Sequence, residues 1–372
     1  MTANTWDTLF RPFSIGRTSL RNRIVMAPMT RRQCKNGIPD DRVTDYYQRR
    51  AAGGVGLIIT EGTHIDHPGA NAYPGVPAFH GAQALSAWSS IVSAVHEHGA
   101  RIMPQLWHVG AVRRPGAEPD PSVTGFGPTQ VTDNGSVVVR AMTKTDIENI
   151  AASFARAAVN AERLGFDGVE VHGAHGYLID QFLWAQTNTR QDEYGGCVLN
   201  RARFAIEVVQ AIRDAVSPDF PIVFRFSQWK SADYSAHIAE TPDDLAAIVE
   251  PLARAGVDCF HVSTRRFWEP AFSGSDAPLA ELTRHITGKP VIAVGSVGLD
   301  RPHQSRTFRD TVDIGAQVDD LDRLIQMMER DAFDLVAIGR AILSDPDWPH
   351  KVQRGEMDRI QPFRRQNIDI YM

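Results

Sequence analysis

The chain has 372 residues, 43% of them hydrophobic and 22% charged, with a formal net charge of -5. That length and composition suit a well-packed soluble protein with room for one large α/β domain or two ordinary ones, and they exclude a disordered or fibrous chain. The acidic balance argues against a nucleic-acid binder, which needs a Lys/Arg excess on some face, and favours a small-molecule partner.

The first residues, MTANTWDTLFRPF, lack the basic start and apolar run of an export signal, and nowhere do eighteen apolar residues stand together. A cytoplasmic location without membrane contact is expected. The segment RTSLRNR (17–23) predicts a hairpin at the bottom of the fold. Eight short apolar runs follow: RIVMAPMT from Arg23, GLIITEGT from Gly56, ARIMPQLWH from Ala100, GVEVHGAH from Gly168, PIVFRFS from Pro221, DCFHVST from Asp258, PVIAVGS from Pro290 and DLVAIGR from Asp334. Near-continuous Val, Ile, Leu and Phe suits parallel strands covered on both faces.

Helical spacing over 144–164, 200–215, 241–255 and 318–330 separates several of these runs. Gly165 and Gly256 are placed to stop helices, and Thr143 and Thr241 to cap them. Eight such units predict an α/β fold: one (β/α)₈ TIM barrel spanning residues 1–372 as a single domain, with a Pro/Gly-rich excursion (113–140) after the third strand. No G-x-G-x-x-G follows the first strand, so no dinucleotide-binding domain is indicated. Cys34, Cys197 and Cys259 stand far apart, which speaks against a disulfide framework or an iron–sulfur cluster.

In such a barrel the reactive groups gather where the strands end. Strands seven and eight end in VGSVG and IGR, where the backbone N–H groups of Gly295, Ser296 and Gly339, with Arg340, can surround a phosphate. Arg225 and Gln105 suit a planar ring bearing carbonyls and ring nitrogens, and Gly62 with Pro28, Met29 and Thr30 lets such a ring approach the backbone. A phosphorylated flat heterocycle fits, and non-covalent flavin mononucleotide (FMN) is the natural candidate. His172, His175 and Tyr177 leave three readings open: a metal site on H-x-x-H, an acid/base and anion site, or histidines that satisfy local hydrogen bonds. Trp107, Phe267 and Trp268 either line a substrate pocket or pack.

The segments NRIVMAPMTR, IITEGT, PQLWHVG, VEVHGAHGYLIDQFLWAQTNTRQDEYGGCVLNRARF, FRFS, VIAVGSVG and AIGRAILSDPDW run in order along nearly the whole chain. In them the sequence resembles the Old Yellow Enzyme family of FMN-dependent ene-reductases. The resemblance implies NADPH or NADH as reductant and an activated alkene as substrate. It further implies that Pro28, Met29, Thr30, Gly62, Gln105 and Arg225 hold the flavin ring and that Gly295, Ser296, Gly339 and Arg340 hold its phosphate. His172 and His175 would bind the activating group of the substrate, Tyr177 would donate the proton, and Trp107 and Phe267 would line the substrate pocket.

Hydride addition to the β-carbon of an unsaturated carbonyl places charge on oxygen, which two imidazole N–H groups can stabilise, and a phenol is acid enough to protonate the α-carbon of the resulting enolate. Two other readings compete: a metal-dependent barrel hydrolase using His108, His172, His175 and His261, and a non-catalytic flavin-binding protein. The segment QWKSADYSAHIAE after strand five has no assignable role. Arg31 and Arg32 are expected to be solvated or salt-bridged, and PFRRQ to be a surface tail. The sequence does not separate monomer from homo-oligomer.

Overall fold

Eight parallel strands close on one another in chain order: β1 Ile24–Met26, β2 Leu57–His64, β3 Arg101–Trp107, β4 Val169–His175, β5 Ile222–Lys230, β6 Cys259–Ser263, β7 Val291–Val294 and β8 Leu335–Ile338. Each strand pairs with its sequence neighbours and β8 returns to β1, giving the expected (β/α)₈ barrel. The computed structural model describes residues 6–300, 316–319, 321–368 and 370–371.

Strand side chains alternate between faces, so each strand feeds two layers. Val25, Leu57, Ile59, Met103, Val223, Cys259, Ile292 and Leu335 fill the barrel interior. Ile15 and Leu20 join them from a hairpin of Phe13–Ile15 and Thr18–Leu20, turned at Gly16 with φ +52. The hairpin thus plugs the barrel as expected, although it starts upstream of 17–23. Outward residues such as Ile58, Ile102, Val171, Phe224 and Phe260 form a second, larger core under the helices.

Thr143 and Thr241 each accept a hydrogen bond from the backbone N–H three residues on, and Asp146 and Asp244 accept from the cap backbone in return. Both helix starts, Lys144–Arg163 and Pro242–Ala255, are therefore fixed by local sequence. The helix expected over 318–330 spans Asp322–Glu329, because Val318 is instead bridged to Leu299. The excursion after β3 folds into a small sheet of Gly125–Gly127, Val131–Asp133 and Ser136–Ala141. Its anchor is the fully buried Arg113, whose guanidinium donates to the carbonyls of Asn71, Ala117, Glu118, Asp120 and Val123. Arg113 thereby ties the excursion to the loop after β2.

Candidate active site

Towards the C-terminal end of the barrel the inward-facing positions change character. Two residues beyond Met103, Val223 and Cys259 stand Gln105, Arg225 and His261, all buried. With Glu170 and His172 of β4 they make a polar floor above the apolar interior. Gln105 Nε2 donates to Glu170 Oε1 at 2.7 Å, and His261 Nδ1 lies 2.6 Å from Glu170 Oε2. Arg225 reaches only Ser263 Oγ, at 3.4 Å, and its Nε has no hydrogen-bond partner among the described residues.

His172, His175 and Tyr177 converge at one side of this floor. The two imidazole centroids are 5.4 Å apart, and the Tyr177 ring is 5.3 Å from that of His172. Burial, with the nearby Arg225 charge adding to it, holds both imidazoles well below the usual histidine pKa, so each is neutral and offers one N–H. His175 Nε2 is 2.8 Å from Ser263 Oγ, whereas the buried Nδ1 of His172 has no partner among the described residues. Burial raises the Tyr177 phenol well above its ordinary value and keeps it protonated, and it shares a hydrogen bond with the phenol of Tyr73.

The proposed ring-contacting residues border the same floor. Pro28, Met29 and Thr30 follow β1, half-buried. Gly62 in β2 admits no side chain: a Cβ there would stand 2.7 Å from Trp107 Cε3 and 3.3 Å from Gln105 Oε1. Across the mouth, Gly295 (φ +149) and Ser296 (φ +58) turn the chain after β7, and a Cβ at Gly295 would meet Thr264 O at 2.6 Å. Gly339 caps the short helix Arg340–Ser344. Burial lowers the Arg340 pKa to about 10, with the Asp300 charge opposing that shift and the Arg265 charge adding to it. Arginine beside bare backbone suits an anion such as phosphate.

Trp107 stands 4.8 Å edge-on to Tyr177 and 6.2 Å from His172. Phe267, in the turn after β6, packs in the core between barrel and helices, 6.0 Å from Phe333 and 4.9 Å from Trp268. Three of the four histidines of the hydrolase reading, His172, His175 and His261, lie at the polar floor. His108 pairs with His67 at 2.9 Å and His261 with Glu170, and no group of three or more His, Cys, Asp or Glu among the described residues could hold a metal ion.

Several functional contacts come from residues the sequence did not single out. β5 continues beyond FRFS to Lys230, so QWK forms a wall of the site. Trp229 stacks on His175 at 4.4 Å and donates through Nε1 to Ser263 O. The backbone of His175, itself at φ +64, donates to Ser227 Oγ and accepts from Ser231 N. Lys230 Nζ meets Asp180 Oδ1 at 2.8 Å, while Asp180 Oδ2 accepts from Gly176 N in the turn that carries Tyr177. Burial pushes the acid up and the amine down, yet this contact and the Ser227 and Gln228 carbonyls on Nζ favour the ion pair. Lys230→Met is expected to destabilise the protein by ~3–5 kcal/mol, the usual cost of stranding one member of a buried pair. Denaturant unfolding should show part of that loss recovered in Lys230→Met with Asp180→Leu; an unchanged single variant would contradict the ion pair.

Two expectations about exposed arginines are corrected. Arg31 is 5% exposed, held between the rings of Tyr46 and Tyr371, and donates to the carbonyls of Ile368 and Ile370. The C-terminal segment is therefore docked: Phe363 is buried and bridges Ala316. Glu61, raised by burial to about 7, accepts from the backbone N–H groups of Arg31 and Arg32 and so holds the loop that carries Thr30. The block after Tyr177 is structural too. Asn188 bridges Phe182 O and Tyr194 O, and Arg190 reaches Pro128 O and Met142 O.

The family model for the NADH:flavin oxidoreductase / NADH oxidase family matches residues 8–359. An NADH oxidase of Thermoanaerobacter brockii is 34% identical over 98% of this chain, but the chain spans only 53% of that protein. A chanoclavine-I aldehyde reductase of Penicillium roqueforti is 34% identical over 93% of the chain and 89% of its own length. Morphinone reductase, solved in complex with tetrahydroNAD, superposes with a TM-score of 0.77 at 29% identity, covering 93% of this chain and 90% of that one.

Proposed function

The chain belongs to the NADH:flavin oxidoreductase / NADH oxidase family, the Old Yellow Enzyme family, and on that premise we propose that it is an FMN-dependent ene-reductase acting as a single barrel domain. Its reductant is NADPH or NADH, and its substrates are activated alkenes: α,β-unsaturated aldehydes, ketones, imides or nitroalkenes. Bound FMN would supply hydride, accepted from the nicotinamide and delivered to the β-carbon of the alkene.

The residues present fit that group. Arg225 Nε is buried and unpartnered among the described residues, Gln105 has a second amide N–H, and the bare Gly62 leaves the backbone open beside them. An unsatisfied buried donor is costly, so a ring carbonyl or nitrogen in its place would be bound firmly. Pro28, Met29 and Thr30 would flank the ring, and Gly295, Ser296, Gly339 and Arg340, with Arg265, would hold the phosphate.

His172 and His175 would donate to the oxygen that gains charge as the β-carbon is reduced. Because both are neutral and fixed, they need no reorganisation during the step. Tyr177 would then give its phenolic proton to the α-carbon, with Tyr73 holding the phenol in place. The observation that carries this reading is the pair of neutral imidazoles with the protonated phenol beside them. Merely retaining a flavin requires no proton donor there, which disfavours the non-catalytic reading.

Purification without added cofactor tests the proposal. A yellow protein that releases FMN on denaturation is expected. A colourless protein that also fails to bind added FMN, or an activity abolished by a metal chelator, would favour the hydrolase reading.

A further inference from the structure

One fully buried acid of the site takes no part in the steps above. Glu170 is 0% exposed, and both its oxygens are engaged: Oε1 by Gln105 Nε2 and Oε2 by His261 Nδ1. Its charge also acts on Arg225, stabilising the guanidinium against burial. One carboxylate from β4 thus hydrogen-bonds to residues of β3 and β6, and its charge is felt by Arg225 of β5.

Three consequences follow from its chemistry. An ionised carboxylate only accepts hydrogen bonds, so the amide nitrogen of Gln105 must face it and Gln105 Oε1 must face Gly62. His261, whose pKa burial lowers, is held as the Nδ1–H tautomer. Finally, Glu170 offsets the Arg225 charge, and without it the floor would carry a net positive charge next to the cofactor. Negative charge gained by the ring on reduction would then be stabilised more strongly, since charges interact at close range and low dielectric here.

We propose that Glu170 is a positioning and charge-balancing residue that orients Gln105 and, by offsetting Arg225, holds the reduction potential of bound FMN low. A lower potential favours release of the hydride to the alkene. The inference rests on the FMN reading above.

The test uses the FMN-loaded protein and a potential titration against a reference dye. Glu170→Gln keeps the length and an amide able to bond Gln105 and His261, and removes the charge. Its potential is expected to rise by at least the equivalent of a tenfold preference for reduced flavin, about 30 mV for a two-electron couple. Glu170→Asp keeps the charge and is expected to return the potential towards wild type while weakening FMN binding several-fold, because the shorter side chain no longer sets Gln105. A wild-type potential in Glu170→Gln, or equal shifts in the two variants, overturns the proposal. If the Gln variant does not fold, Glu170→Met serves as the neutral replacement with the same expected rise. A wild-type protein that binds no FMN overturns the underlying reading instead.

Discussion

Tyr177→Phe is expected to slow reoxidation of the flavin by cyclohexenone by ~10²–10⁴-fold, the usual cost of a lost general acid, while its reduction by NADPH or NADH proceeds almost normally. The substitution removes only the phenolic O–H and keeps the ring packed against Trp107 and His172. Hydride transfer from the nicotinamide needs no proton at a substrate carbon, so that half-reaction has nothing to lose. The defect should be smaller for nitroalkenes, whose nitronate product persists long enough to take a proton from solvent. Stopped-flow measurement of each half separates the alternatives. Equal slowing of both would make the tyrosine a packing residue, and an unslowed reaction with cyclohexenone would assign the proton to Tyr73 or water.

His172→Ala should act differently. It removes a donor to the developing oxyanion, an interaction worth ~10²–10³-fold in kcat, and it should penalise enones and nitroalkenes alike. The binding constant of a saturated ketone analogue should weaken as well. His175 remains fixed by Ser263 and Trp229 in that variant, so the residual rate reports a one-donor site. Both imidazoles are held neutral by burial and Arg225. In wild type, acidification from about pH 8 to about pH 6 should therefore produce no rise in affinity for a neutral ketone, since no imidazolium forms in that range. A binding constant that tightens through the ordinary histidine range would show that the charged form is the ligand.

The barrel was readable because its signal is local. Each strand is a short run of β-branched and aromatic residues, and Thr143 and Thr241 carry their capping acids three residues on. The ends of those strands gave Gln105, His172, His175 and Arg225, since strand period fixes which residues look inward. Phe267 lies in the turn beyond β6, where period no longer fixes direction, so its packing against Phe333 carried no signal. Tyr73, eleven residues past Gly62 in a loop, carried no periodic signal, and its approach to Tyr177 depends on the Arg113 anchor and the packing of Trp107. Trp229 and Lys230 were hidden because β5 shifts register between Phe226 and Lys230, which ended the expected strand too early. The docking of the C-terminus on Arg31 joins residues more than three hundred positions apart, and no spacing rule reports that.

The most direct measurement of the central claim is an anaerobic sequence in one cuvette. NADPH or NADH is added to the yellow protein until the flavin absorbance is bleached, and cyclohexenone is then added while the spectrum is followed. The account predicts full return of the oxidised spectrum with one cyclohexanone formed per flavin. A flavin that stays bleached with cyclohexenone, 2-methylmaleimide and a nitroalkene alike, and recovers only when oxygen is admitted, would contradict it.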